Sequence, residues 1–448
     1  MKSSSALRLK DRGLLETILR IANKRKVKLY LVGGYLRDIL LGREKKNPDI
    51  DFCLRRTAIN FGKDVARKIK GGFVILDKTH GCSRVVKRIK DKIYTLDFTD
   101  FRGKTIEDDL LHRDFTINAL SVELKKFFAG GTIENLIIDP YKGRRDLGRK
   151  IVRLVNKKAF DEDPLRVLRA FSLAIIFDFK IDKETLKAIK LKARGLSGVS
   201  YERIRDELFK ILERPNSFSY LQELDKLRIL KIIIPELEVM RGVKQGPYHH
   251  LDVWQHTLET IRQLELLITE LKDNPEVQDY LDEIISGARS RRALIKLGAL
   301  LHDIGKPAAL RREDGKTKFH GHERIGSDIT KNITERLKLS NDETDSLEKM
   351  VLWHLRPGYL ADNEEITPRA IFRYFRDTQK ESVSILLISM ADQRATKGPL
   401  TSKESRIHHE KVVLNLIKEY FRRKKEKKLP RLISGDDLLK KFKLEPSP

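Results

Sequence analysis

Cysteine is nearly absent: the 448 residues contain two, Cys53 and Cys82. That excludes a disulfide-stapled scaffold and a zinc site built from thiolates, and it fits a reducing cytoplasm. Long apolar runs are missing too. Nothing approaches the roughly 18 residues of a membrane span, and stretches such as Ile232–Ile234 and Ser384–Met390 are core-sized. The opening MKSSSALRLKDRGLLETILR has no continuous apolar segment of the kind a secretory leader carries. There is no internal repeat and no low-complexity tract. Acid is scarce relative to base: 65 Asp plus Glu face 92 Lys plus Arg, a formal charge of +27. Such an excess calls for a polyanionic partner, nucleic acid most simply, with an anionic membrane surface as the weaker alternative.

Hydrophobic residues at 40% suffice for real cores, and the length suggests two to four domains. Strand signals concentrate in the first 150 residues: Lys28–Val32, Asp49–Leu54, Gly72–Leu76, Ser83–Ile89 and Lys92–Phe98, rich in Val, Ile, Tyr and Phe. Asp11–Asn23 and Tyr35–Leu41 read as helices beside them. From about Phe160 the apolar spacing becomes helical, as in PLRVLRAFSLAIIF, Tyr201–Leu212, Trp254–Leu271, Arg292–Leu301, Ile325–Leu337 and Lys380–Met390. Gly242–Pro247 reads as a linker and Asn274–Gly287 as a short insert. RRKKEKKLPR near the end is a charge run, a solvated helix end in its plainest reading and an RNA contact in the other.

Two carboxylates stand behind a glycine turn. Gly33-Gly34 follows the strand KLYLV and precedes a helix bearing Arg37 and Asp38, which would let backbone N–H groups approach a phosphate. In the next strand, PDIDFCL, alternation puts Asp49 and Asp51 on one face with Ile50 opposite. A carboxylate pair beside a phosphate-holding turn suits magnesium-dependent phosphoryl transfer. Asp97, in IYTLDF, is the candidate third carboxylate, with Asp100 second. In HRDFTINAL, Arg113 can pair with a phosphate, while Asp114 and Asn118 can hydrogen-bond a ribose. Asp163 and Arg166, at i and i+3, are expected on one helical face. There a carboxylate would accept from the exocyclic amine of cytosine or adenine, and a guanidinium would donate to the ring, selecting C and A over G and U.

LVGGYLRD followed by PDIDF resembles the head signature of the DNA polymerase beta-like nucleotidyltransferases. His112–Leu120 resembles the second motif of the bacterial-type tRNA nucleotidyltransferases and of their relatives, the bacterial poly(A) polymerases. DPYKGRRD (Asp139–Asp146) resembles their hinge motif, EDPLRVLR (Glu162–Arg169) their base-reading motif and YERIRDEL (Tyr201–Leu208) a fifth. All five occur in the family's order. The resemblance implies catalysis by Asp49, Asp51 and Asp97 with two magnesium ions, and nucleotide binding by Gly33, Gly34, Arg37, Asp38, Arg113, Asp114, Asn118, Asp163, Arg166 and Arg169, with Glu162 orienting the base readers. Departures are visible: His112 stands where an Arg is usual, as does Ser172. Between the third catalytic strand and the second motif, Arg102 and Arg113 are only eleven apart. Full CCA-adding members carry a longer flexible loop there, and the short form resembles enzymes that add only part of the terminus, particularly CC-adding ones, with a compact loop in an enzyme of another specificity as the alternative.

Histidines gather later in the chain: His249, His250 and His256, then His302-Asp303 in LLHDIGK, His320, His322 and His354, followed by Asp392. Imidazoles with carboxylates suit a divalent cation. The order resembles the HD metal-dependent phosphohydrolases, with His256, His302, Asp303 and Asp392 as ligands and His322 and His354 as ligands of a second ion.

The expectation is an α+β multidomain enzyme: a small mixed-sheet nucleotidyltransferase head (1–150), a helical neck (151–240), an HD-type helical body (241–400) and a basic helical tail (401–448). Expected partners are the tRNA acceptor arm, CTP and ATP, without a membrane or an obligate protein partner. Alternatives are a poly(A) polymerase, and an HD phosphohydrolase whose head only binds RNA.

Overall fold

A computed structural model describes residues 11–130, 132–246, 249–313, 316–363, 365–399, 401–426 and 441–442. The chain divides between Pro235 and Glu236 into two compact units. No helix among the described residues is long and apolar enough to cross a membrane.

The first unit opens with α1 (Arg12–Lys24), β1 (Tyr30–Val32), α2 (Gly34–Leu40), β2 (Asp49–Leu54), α3 (Ala58–Ile69), β3 (Gly72–Asp77), β4 (Cys82–Ile89), β5 (Lys92–Asp100), α4 (Ile106–Leu111) and β6 (Ser121–Glu123). The strands form one mixed sheet in the order β3-β4-β5-β2-β1-β6. Only β2 and β5 run parallel within it, and their register sets Asp51 beside Asp97 and Phe52 beside Phe98. The two-residue alternation of β2 decides what each face carries. Ile50, Phe52 and Leu54 are buried, and Phe52 stacks on Phe98 at 5.0 Å while Phe61 of α3 meets Phe98 edge-on. Each such ring contributes roughly 1.5–3 kcal/mol by leaving water. Where α3 touches the sheet only glycine fits, since a Cβ on Gly62 would lie 2.5 Å from Ser83 Oγ. The opposite face of β2 and β5 is left for Asp49, Asp51 and Asp97.

Helices complete this unit, among them α5 (Ala159–Glu162), α6 (Arg166–Phe177), α7 (Lys183–Lys192) and α8 (Tyr201–Leu212). One expectation fails here. Asp163 and Arg166 do not share a helix: α5 ends before Asp163, whose backbone is extended at φ −150° and ψ 98°, and α6 begins at Arg166. Pro164 is the cause, because the residue before a proline is driven out of the helical region.

The second unit is built on α9 (Val253–Glu270), α10 (Arg291–Leu301), α11 (His322–Arg336), α12 (Asn341–Trp353), α13 (Pro368–Thr378), α14 (Ser382–Ala395) and α15 (Lys403–Lys425). Its core holds a buried ion pair, Arg291 to Glu381 at 2.5 Å, with the guanidinium over the Tyr280 ring. The expected linker is not loose in its described part, 242–246. Gly242 N–H donates to Asp252, and the buried Gln245 donates to Leu251 O; Pro247 lies outside the described residues. The expected insert is ordered: Asn274 caps a helix, Pro275–Asp282, with Pro275 in its first turn, and Ile284–Ser286 then pairs with Arg289–Ser290. The charge run begins in the last turn of α15, and its part from Lys427 onward lies outside the described residues.

Candidate active site and metal centre

A cleft of about 700 Å³ in the first unit collects Gly33, Gly34, Arg37, Asp38, Asp49, Asp51, Asp97, Arg113, Asp114, Asn118, Asp163, Arg166 and Arg169. Of the residues expected there, Glu162 alone does not line it. The strand register builds the acidic floor: Asp97 lies between Asp51 on one side and Arg84 on the other. Burial pushes the Asp51 carboxyl up. Arg113 opposes this, while Asp97 and Asp49 add to it. Clustered carboxylates of this kind fit a hard divalent cation, whose charge would relieve their repulsion. Both Asp97 oxygens accept from Arg84 at 2.8 Å, so Asp97 can join a metal only by sharing Arg84. The alternative, Asp100, is structural: it accepts from Ala58 N–H, and a Cβ on Gly81 would collide with it.

The glycine turn works differently from the expectation. Gly33 N–H is spent on Leu120 O at 3.0 Å and does not face a phosphate. Gly33 is needed for its φ of +76° and for room: a Cβ there would lie 2.8 Å from an Arg113 nitrogen and 3.2 Å from Asp51 Oδ2. Arg113 is thereby free to run past Asp51, donating to Cys53 Sγ at 3.3 Å and lying 3.5 Å from the buried Asp109. Arg37 is held from several sides. It donates to Asp38 and to Asn118 Oδ1, and its guanidinium lies 4.3 Å over the Phe177 ring. It therefore acts mainly by fixing Asn118. Burial would raise the Asp114 carboxyl, but Arg169, Asn118 and Phe115 N–H together hold it below its ordinary value.

The base-reading candidates lie at the break between α5 and α6, a hinge separate from the Asp139–Asp146 motif. Asp163 accepts from Leu165 N–H and from Arg203 at 2.8 Å. Arg166 donates to His112 O at 2.7 Å, to Ala159 O at 3.1 Å and to Glu162 at 3.4 Å, and His112 Nδ1 meets Glu162 at 2.9 Å. His112 thus links the second motif to the hinge. Lys45, Arg84, Arg102, His112, Arg203 and Lys210 were not singled out as site residues from the sequence. Lys45, Arg102, His112 and Lys210 line the cleft, and only register and tertiary packing bring them in.

In the second unit the histidine–aspartate set closes around one centre. His256, His302 and Asp392 offer ligand atoms within 4.8 Å of one another, and so do Asp303, His322 and His354. Asp303 bridges the two groups, 3.2 Å from His302 Nε2 and 3.4 Å from His322 Nε2. His302, His322 and His354 each turn Nδ1 toward a backbone carbonyl, of Ala299, Phe319 and Val351, which aims Nε2 inward. His302 Nε2 is buried with no hydrogen bond among the described residues, whereas Asp303 Oδ2 is met by Lys306 Nζ at 2.7 Å. Inward imidazole nitrogens gathered around buried carboxylates fit a divalent cation.

Against known proteins, residues 29–153 match the family described as "Poly A polymerase head domain". Residues 178–240 match the "Probable RNA and SrmB- binding site of polymerase A", and 253–378 match the HD domain. An A-adding tRNA nucleotidyltransferase of Deinococcus radiodurans is 30% identical over 93% of this chain and 88% of its own length. The chain belongs to the tRNA nucleotidyltransferase family. A CC-adding tRNA nucleotidyltransferase of Thermus thermophilus is 29% identical, over 82% of this chain and 76% of that one. In fold, the CCA-adding enzyme of Thermotoga maritima in complex with tRNA is similar at TM-score 0.61 and 21% identity, covering 97% of this chain and 87% of that one. In this tRNA nucleotidyltransferase, Glu162–Arg166 lies in the stretch between the head and RNA-binding matches. Asp392 lies beyond the HD match.

Proposed function

We propose that this chain transfers nucleotides from CTP to the 3′ end of tRNA and stops before the terminal A. The observation that carries the transfer is the single cleft that joins the Asp49/Asp51 floor to the Asp163/Arg166 hinge. Asp49 and Asp51 would hold two magnesium ions, which lower the pKa of the tRNA 3′-hydroxyl and neutralise charge on the triphosphate. Arg113, pinned between Cys53 and Asp109, supplies a fixed positive charge beside that floor. Asp114 and Asn118 hold the ribose. Asp163 accepts from the exocyclic amine of the base with a lone pair that Arg203 leaves open, since each carboxylate oxygen carries two. Arg166 donates to the ring from a position fixed by His112 O and Ala159 O.

The stop after C rests on the segment between β5 and the second motif. Its short length leaves no flexible loop, and its residues are tied down. Thr105 and Asp108 form a capping box on α4, Lys104 N–H donates to Asp108, and Arg102 donates to His112 O. The resemblance implies that switching from C to A uses a mobile loop at this place. The test offers tRNA ending at the discriminator base, at C or at CC, with CTP and ATP supplied separately. Incorporation of two C and no A is expected. A addition to the CC-ended tRNA would give the chain the activity named for its Deinococcus relative, and long A tracts would make it a poly(A) polymerase.

For the second unit we propose a two-cation phosphohydrolase centre. His256, His302 and Asp392 would hold one ion and His322 and His354 the other, and Asp303 is near enough to serve either set. Lys306 anchors a phosphate beside it.

A further inference from the structure

One helix of the second unit has an outer face that nothing among the described residues covers. In α13, PRAIFRYFRDT, Tyr374 and Thr378 are buried, the tyrosine hydroxyl donating to Ser382 O. On the opposite side Arg369, Phe372, Arg373 and Arg376 follow one another at spacings of three and four, which puts them on one face. All four are exposed, and Phe372 shows 57% of its surface. Arg369 and Arg373 have no ion-pair partner among the described residues. Asp377, the helix's one carboxylate, is shared by Arg376 and Arg356, each at 2.7 Å. Arg423, from the basic end of α15, lies 5.0 Å over the Phe375 ring, so a second basic element borders the same face. The positive charge here therefore exceeds what the fold neutralises, and a large aromatic ring stands in the middle of it.

We infer that this face of α13 is a contact surface for RNA, taking phosphates on Arg369 and Arg373 and an unpaired base or a helix end on Phe372. The inference rests on the proposed tRNA activity for the identity of the RNA. A guanidinium without a carboxylate offers its planar fork to phosphate oxygens. An exposed ring costs free energy in water and regains it by stacking on any base. Arg369 to Arg376 spans about 10 Å of helix, over which one nucleic-acid strand presents two or three phosphates. An acidic protein would also satisfy the arginines, but the ring among them favours a partner that offers both anionic oxygens and flat apolar faces.

The test measures affinity for tRNA ending at the discriminator base, across a range of salt, for the full chain and two variants. The double variant Arg369→Gln/Arg373→Gln is expected to lower the slope of log affinity against log salt by about 1 to 2. Phe372→Ala is expected to weaken binding about tenfold with the slope unchanged. Both should raise KM for tRNA, leave kcat at saturating tRNA as in wild type, and melt within a few degrees of it. Wild-type affinity and slope in both variants would overturn the inference. So would a wild-type dimer that Phe372→Ala turns into a monomer with unaltered RNA binding, since the face would then belong to a second copy. A wild-type chain that binds tRNA through this face but adds no nucleotide would overturn the proposed activity and leave the surface standing.

Discussion

At Asp51 the strand, the glycine turn and a half-buried arginine converge. The alternation of β2 aims its carboxyl away from the Phe52 core, parallel pairing sets it against Asp97, and the missing side chain of Gly33 lets Arg113 pass beside it. Its carboxyl is pushed up by burial and by the neighbouring Asp97 and Asp49, a repulsion that a bound cation turns into attraction. Asp51→Asn is therefore expected to lower nucleotide addition at least a thousandfold while tRNA affinity stays within about threefold, because a metal ligand acts mainly on the transition state. Single-turnover rates and tRNA binding on the same preparation decide it; near-wild-type rates would remove Asp51 from the chemistry. The task proposed for Asp163 is different. Asp163→Ala should admit UTP and GTP more than it slows the best nucleotide, since a rejected base no longer leaves a buried acceptor unpaired. Misincorporation ratios from competing nucleotides check this, and unaltered exclusion of UTP and GTP would take base reading away from the hinge.

Between elements, the neck is held by a clamp across α6 and α8. Glu207 of α8 meets Arg169 at 3.3 Å and Lys210 at 2.9 Å, and it accepts from the Ser172 hydroxyl. In the sequence Ser172 is a departure, standing where the resemblance expects an Arg. Its small side chain instead leaves room for Glu207 to reach Arg169, which in turn lies 3.6 Å from Asp114 in the cleft. Burial would raise the Glu207 carboxyl, but Lys210, Arg169 and Ser172 hold it below its ordinary value. A depressed carboxyl stabilises the fold above its unfolded pKa, about 4.3, and the contribution disappears as pH falls through the folded value. Glu207→Gln should thus cost about 2 kcal/mol at pH 7, and the gap to wild type should close below about pH 4. Denaturant melts at several pH values measure it; a gap that persists into acid would mean that packing, not charge, is what Glu207 supplies. The same elements show what could be read from the sequence. Asp49–Leu54 and Tyr201–Leu212 are found where their periodicity places them, because alternation and 3.6-residue spacing are local properties. The break at Asp163 is also written locally, in Pro164, and an i, i+3 spacing counted across it does not register it. The Arg84 clasp on Asp97 and the His112 link to Glu162 were beyond reach, since strand order and hinge closure are set by the whole core. The face of α13 escaped for another reason: an arginine-rich solvent side is ordinary in sequence, and only the exposure of Phe372 marks it.

For the whole molecule, the two candidate centres stand in separate compact units, with the carboxylate floor in the first and the histidine–aspartate set in the second. Each unit has its own core: the Phe52, Phe61 and Phe98 cluster in one, the Arg291–Glu381 pair and its neighbours in the other. The ligands of the second centre come from helices whose order in the chain is unrelated to the head strands. Asp303 is the group to remove, because its carboxylate lies within 3.8 Å of histidines from both candidate ligand groups. Asp303→Ala deletes the bridging carboxylate yet leaves the three carbonyl-anchored imidazoles oriented by Ala299, Phe319 and Val351. The variant should purify with at least one cation fewer per chain by elemental analysis, and it should lose hydrolysis of phosphomonoesters or of 2′,3′-cyclic phosphate ends. C addition to tRNA should remain within about twofold of wild type, since sites in separate compact units without shared partners act independently. A folded Asp303→Ala chain that no longer adds nucleotides would show that the histidine–aspartate centre supports the head. A wild-type chain that retains no metal after purification and hydrolyses none of these substrates would reduce the centre to a buried polar core, leaving transfer to the tRNA 3′ end as the chain's one chemistry.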